Sequence, residues 1–241
     1  MSRFVIQAQW DDVPHLTPEQ RKELWESIPP YQRDARSKGI PSLGAGAIYP
    51  VSEDEYVVDD MELPPHWPRV YGLDVGWNRT AAVWLAWNRE SDVAYVYSEH
   101  YQGQAEPAIH AQAIKGRGAW IPGVVDPAAD GRTQTDGKRL LDIYGDLGLT
   151  LTKAENSVEA GIYAVWQRLA SGKLKVFKSC RNLIAEIRVY RRDENGKVVK
   201  ENDHACDALR YAVVSGLKKA DTPAEAQTED MYMAENGWMG R

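Results

Sequence analysis

The sequence predicts a mixed α/β fold built on one sheet. Three observations carry that expectation. Three β-branched or aromatic runs follow one another between residues 70 and 98 with only turn residues between them, helix and strand signals alternate from 107 to 190, and a last long helix closes the pattern at 203–219. Consecutive strands joined by tight turns make an antiparallel meander, and the alternation after it adds strands to the same sheet with helices on both faces.

Residues 1–68 differ in texture from the rest of the chain. They hold a short apolar run at 4–8, a helix-start signal in Thr17-Pro18-Glu19-Gln20 leading into 21–28, and recurrent Pro and Gly from 29 to 50. The run Leu63-Pro64-Pro65-His66-Trp67-Pro68 reads as an extended linker, because each proline restricts itself and the residue before it. The main domain boundary is expected there. Strands are then predicted at 70–75, 81–87 and 93–98, separated by Gly76-Trp77-Asn78 and by 88–92. Helices are predicted at 107–115, 137–147, 157–170 and 181–190, alternating with strands at 120–125, 149–153 and 174–177. A polar hairpin around Asp193-Glu194-Asn195-Gly196 precedes the last helix, and 220–241 is expected to be a mobile tail. The expected division is 1–68, 69–219 and 220–241.

Composition narrows the function classes. With 43% hydrophobic and 27% charged residues, the chain is not disordered throughout. No stretch approaches the ~18 to 20 apolar residues of a membrane span, and the first residues lack the apolar core of a secretory signal. The expectation is a soluble, intracellular protein with no membrane partner. Cys180 and Cys206 are too few for a disulfide framework or a thiolate zinc site. A net charge of -6 argues against gripping nucleic acid through overall positive charge and leaves a local basic face open. The 9 Trp and 12 Tyr, against 2 Phe, fit either stacking surfaces or amphipathic core residues, and the core reading is favoured for any one Trp.

Three acidic positions stand out. Asp74 lies in the apolar run Tyr71-Gly72-Leu73-Asp74-Val75-Gly76, where burial is costly unless a cation compensates it; capping a turn at a strand end is the plain alternative. Asp126 follows Gly123-Val124-Val125 at the carboxyl end of a strand, where ligands gather in open α/β sheets, although Asp-Pro also opens turns. In Asn202-Asp203-His204-Ala205-Cys206-Asp207-Ala208-Leu209-Arg210-Tyr211, helical spacing brings Asp203, His204 and Asp207 to neighbouring parts of one face. Asp203 suits an N-cap. Asp207, inside the helix between apolar neighbours, has no structural role evident from spacing, so it is the expected ligand, with Asp203 and His204 supporting or alternative. Three such carboxylates suit two Mg²⁺ or Mn²⁺ ions rather than zinc, and the chemistry implied is phosphodiester hydrolysis. Phosphates would need nearby cations, for which the candidates are Arg79, Arg132, Lys138 and Arg139, and the group Arg188, Tyr190, Arg191, Arg192, Lys197 and Lys200 around the hairpin. Alanine at any of the three acids is expected to stop cleavage and to spare the fold, or even to stabilise it by relieving repulsion.

These segments resemble the C-terminal nuclease domain of the large terminase subunit of tailed bacteriophages, which has the RNase H-like fold of Holliday-junction resolvases. Gly72-Leu73-Asp74-Val75-Gly76, Val124-Val125-Asp126-Pro127 and the 202–211 run carry the resemblance. Trp10-Asp11-Asp12-Val13-Pro14-His15-Leu16 and Ala35-Arg36-Ser37-Lys38-Gly39-Ile40-Pro41 look like the end of that family's ATPase domain and the connection onward. The resemblance implies Asp74, Asp126 and Asp207 as an acidic triad cutting concatemeric double-stranded DNA. It also implies the terminase ATPase domain, small terminase subunit and portal protein as partners, and the host cytoplasm as location, outside the mature virion. No G-x-x-x-x-G-K-[ST] phosphate loop occurs, so ATP hydrolysis by that route is not expected of this chain, which reads as a nuclease fragment or a truncated or split protein. Two rival readings remain. Asp74-Val75-Gly76 with Thr80 also suits an actin-like or sugar-kinase-type phosphate-binding domain, and the tryptophans suit a non-enzymatic aromatic-rich binding module.

Overall fold

A computed structural model describes residues 9–28, 36–37, 46–127, 139–155, 157–193 and 195–223. Near the N-terminus the capping box is realised: Thr17 accepts from the Gln20 amide, and α1 (Pro18–Ser27) begins there. The expected strand at 4–8 lies outside the described residues. The remaining elements are α2 (Glu53–Tyr56), β1 (Val57–Val58), β2 (Arg69–Asp74), β3 (Thr80–Asn88), β4 (Val93–Gln102), α3 (Pro107–Lys115) and β5 (Gly123–Val125). After them come α4 (Leu140–Asp146), β6 (Leu151–Lys153), α5 (Val158–Ala170), β7 (Leu174–Phe177), α6 (Arg181–Val189) and α7 (His204–Tyr211). The last helix does not run unbroken to 219: α7 passes into a π turn at Ala212–Gly216 and a 3₁₀ turn at Leu217–Lys219.

The strands form one seven-stranded mixed sheet in the order β1-β7-β4-β3-β2-β5-β6. The β2–β3 and β3–β4 pairs are antiparallel, as a meander requires, and every other pair is parallel. Side-chain alternation sorts the central strands onto two cores. Val70, Ala81, Val83 and Leu85 face the side covered by α5, α6 and α7, and Tyr71, Leu73, Ala82 and Trp84 face the side covered by α3 and α4. All seven strands are short except β3 and β4, which carry the middle of the sheet.

Two boundaries differ from those read in the sequence. Residues 46–58 pack on the same sheet as 69–219: β1 pairs with β7, the Tyr49 ring packs at a tilt against Tyr190, and Ile48, Tyr49 and Tyr56 are buried in the α5–α7 core. Pro64, Pro65 and Pro68 therefore connect two strands of one sheet. At the other end, Ala220 is buried and Asp221 exchanges backbone hydrogen bonds with Arg69, so the packed chain extends past 219; residues 224–241 lie outside the described residues.

Candidate metal centre

The site forms where β2, β5 and the start of α7 meet. Asp74 is the last residue of β2, and Asp126 follows β5, its amide bonded to the Leu73 carbonyl at 3.3 Å; the parallel pairing of β2 with β5 thus sets these two carboxylates at the same sheet end. α7 reaches this point because Gly72 lets it lie almost against β2. A Cβ at residue 72 would stand 1.9 Å from the Ala208 carbonyl oxygen, a separation no side chain tolerates. Gly161 of α5 makes similar room for Arg210, whose Cγ and Cδ would lie 2.7 Å from a Cβ there.

The side chains at this point form a network of opposite charges. His204 Nδ1 lies 2.9 Å from Asp74 Oδ2. Arg210 donates to Asp207 Oδ1 through Nη2 at 2.9 Å and Nε at 3.2 Å. Lys200 donates to Asp207 Oδ2 at 2.9 Å and stands 3.0 Å from Asp203 Oδ2. Burial raises the pKa of Asp74; the His204 hydrogen bond opposes this, and the charges of Asp207 and Asp126 add to it. The hydrogen bond to Asp74 in turn holds His204 above the ordinary imidazole value. Burial dominates at Asp74, and the hydrogen bond between the two dominates at His204. Burial works against the Lys200 ammonium, but Asp207 and Asp203 outweigh it and raise its pKa. The Tyr211 hydroxyl, raised chiefly by burial and relieved in part by Arg210, also feels Asp207, Asp126 and Asp74, so all three acids lie within electrostatic reach of one another.

Common charge is not yet common coordination. Among the described residues, no three His, Cys, Asp or Glu side chains meet closely enough to share one metal ion. Asp207 is engaged by Arg210 and Lys200, and Asp74 by His204. The donors are hard oxygens of the kind Mg²⁺ and Mn²⁺ prefer, and protein cations hold part of the set.

Several roles differ from those read in the sequence. Asp207 does have structural partners, Arg210 three residues along the helix and Lys200 before it. Asp203 occupies the N-cap position of α7 but its side chain makes no capping hydrogen bond. That task falls to Glu186 of α6, a buried carboxylate whose Oε2 accepts from the Ala205 and Cys206 amides at 2.7 and 3.0 Å, while Oε1 accepts from the Tyr101 hydroxyl at 2.6 Å. The sequence carries a signal for it: Leu183, Ile184, Glu186, Ile187 and Tyr190 share one helical face, and a carboxylate on an apolar face needs buried donors. Arg210, with a side chain only 2% exposed, was legible as the i+3 partner of Asp207.

The basic candidates scatter. Arg79, in the turn after β2, holds its guanidinium 4.6 Å from the Tyr101 ring centre. Lys200 is inside the acidic cluster. Lys197 is exposed in the turn closed by the Asp193 amide donating to the Lys197 carbonyl at 2.8 Å, and Arg191 is half-buried where its backbone bridges Ala47. Arg188 is paired with Glu53, and Arg192 with Glu159. Tyr190 is 1% exposed and packed at a tilt against Tyr49, so it belongs to the core and cannot reach phosphate. Arg139 takes the N-cap position of α4, and Arg132 and Lys138 lie outside the described residues.

Comparison with known proteins decides the family. The Terminase RNaseH-like domain family model matches residues 71–215, from β2 through the π turn. The chain belongs to this family. The terminase large subunit of Enterobacteria phage LP7 is 34% identical over 235 residues, which is 91% of this chain and 48% of that protein, so the chain spans about half the length of the curated relative it matches. The nuclease domain of the large terminase of phage P22 superimposes with a TM-score of 0.67 at 30% identity, covering 74% of this chain and 95% of that domain. The large terminase nuclease of thermophilic phage G20c with bound magnesium shares the fold, with a TM-score of 0.53 at 16% identity over 71% of this chain and 98% of that one. In this terminase RNaseH-like domain the β2–β3–β4 meander forms the middle of the sheet. The actin-like and aromatic-module readings fall away with the family assignment.

Proposed function

We propose that this chain is a divalent-metal-dependent endonuclease that cuts double-stranded viral DNA for packaging, with Asp74, Asp126 and Asp207 as its metal-binding acids. The observation that supports this most directly is that the parallel β2–β5 pairing sets Asp74 and Asp126 at one sheet end, where α7 brings Asp207 close enough for its charge to be felt at the largely buried Asp74 carboxylate. Asp74, Asp126 and Asp207 would hold the divalent metal, two ions in our reading, and the metal would supply an activated water and neutralise charge on the phosphodiester. The chain's own residues do the rest. His204 orients Asp74 and holds a proton beside it, Arg210 fixes Oδ1 of Asp207 from a buried position, and Oδ2, which faces Lys200, is the oxygen that would take a ligand. Arg79, Lys197 and Arg191 are the cations we propose to hold phosphates. Phosphate contacts position DNA without reading its sequence, so cutting by this domain has little sequence preference. The metal named for the G20c nuclease is consistent with this reading. The ATPase domain, small terminase subunit and portal protein are the partners we propose for the longer protein, acting in the host cytoplasm; among the described residues no helix is long and apolar enough to cross a membrane.

The test is supercoiled plasmid incubated with Mn²⁺, Mg²⁺ or EDTA. Nicking or linearisation is expected with either cation and none in EDTA. Asp74→Asn, Asp126→Asn and Asp207→Asn should each lower the rate by at least about a hundredfold. Asparagine is the informative replacement at residue 207, because Asp207→Ala leaves the Arg210 guanidinium buried without its partner and costs about 3 kcal/mol or more of stability, not a gain. Metal-independent cutting, or full activity in the Asp74 and Asp207 variants, would sink the assignment.

A further inference from the structure

We infer that Lys200 is a resident cation of the acidic site, which a divalent ion must displace in order to bind. The inference deepens the proposed function and rests on it. The Lys200 ammonium lies 2.9 Å from Asp207 Oδ2 and 3.0 Å from Asp203 Oδ2, at the oxygens a metal would use. The two protein cations on Asp207 are not equivalent. Arg210 is buried, with its side chain 2% exposed and wedged against Gly161, so its hold on Oδ1 is fixed. The Lys200 side chain is 58% exposed, against 12% for Asp207 and 10% for Asp203, so the lysine can leave for solvent and the acids cannot.

The backbone before Lys200 is tethered, with the Val199 amide bonded to the Arg191 carbonyl at 3.0 Å, so exchange requires only rotation of a four-carbon stem. An ammonium is a single charge that donates hydrogen bonds, whereas carboxylate oxygens hold Mg²⁺ or Mn²⁺ at twice the charge and shorter distance. With no divalent ion bound, the lysine would offset repulsion between Asp207 and Asp203. Once displaced, the ammonium remains beside the site, free for a phosphate oxygen. Metal and DNA therefore favour the same lysine position, and each should tighten binding of the other.

The experiment is Mn²⁺ titration of the full chain without DNA, by calorimetry or by the electron paramagnetic resonance signal of free Mn²⁺, for wild type, Lys200→Met and Lys200→Arg. Lys200→Met, which keeps the stem and removes the charge, should bind Mn²⁺ about tenfold more tightly, and Lys200→Arg should stay near wild type. In EDTA, Lys200→Met should melt below wild type and gain more from added Mn²⁺. Mn²⁺ binding by wild type with equal or weaker affinity in Lys200→Met overturns the displacement alone. No Mn²⁺ binding by wild type and Lys200→Met alike overturns the metal assignment as well.

Discussion

At the scale of single residues, the chain separates polar groups that serve the site from polar groups that serve the fold, and burial alone does not tell them apart. Asp74 and Glu186 are both carboxylates driven up in pKa by burial. Glu186 is satisfied by a hydroxyl and two amides, whereas Asp74 faces other acids and a histidine. A second buried pair lies on the opposite face of the sheet: His100 Nε2 and His110 Nδ1 are 2.9 Å apart, which requires one ring nitrogen to be without a proton. Burial, the neighbouring imidazole and Arg117 lower His100 to about 4, and burial lowers His110. A histidine whose folded value lies below its unfolded value of 6.5 contributes stability that is complete above that pH and lost as pH falls toward about 4. Thermal melts between pH 7 and 4.5 should therefore show a declining midpoint, with a shallower decline in the double variant His100→Phe, His110→Leu. Equal slopes for the two proteins would remove the pair from the account.

At the scale of elements, the position of α7 decides the site, and a glycine decides the position of α7. Gly72 was legible as a residue that permits close approach, but not which element approaches, because the helix comes from 130 or more residues further along the chain. Gly72→Ala should push α7 off β2, lowering stability by about 3 kcal/mol or more and separating Asp207 from Asp74. Denaturant unfolding measures the first effect and Mn²⁺ binding the second; a variant with unchanged midpoint would show that α7 can shift without cost. The strand and helix types from 69 onward were legible because periodicity and turn residues are local signals. Helix caps were legible only when local: Thr17 caps α1 with its own side chain, whereas α7 is capped by Glu186 from another helix. The Asp203 side chain, expected at that task, is drawn to Lys200 instead.

At the scale of the whole molecule, the sheet is completed by a segment that composition alone assigns elsewhere. Removing residues 1–68 should cost the burial of Ile48, Tyr49 and Tyr56, roughly 1.5 to 3 kcal/mol for each side chain, as well as the β1–β7 pairing and the Glu53–Arg188 ion pair. Against a total stability of about 5 to 15 kcal/mol, that loss should abolish a cooperative melt, whereas a chain starting at residue 46 should retain one. A shorter chain starting at 69 with the same midpoint would place the boundary at the prolines after all.

The sequence by itself determined the strand and helix types, the family resemblance and the three acids that stand out, because each is written in neighbouring residues or short motifs. Only the tertiary structure decided which cations those acids meet, which carboxylate caps the last helix and where the packed unit begins. Those depend on contacts between residues far apart in the chain, where an ion pair such as Asp207 with Lys200, or a seam such as β1 with β7, leaves no local pattern to read.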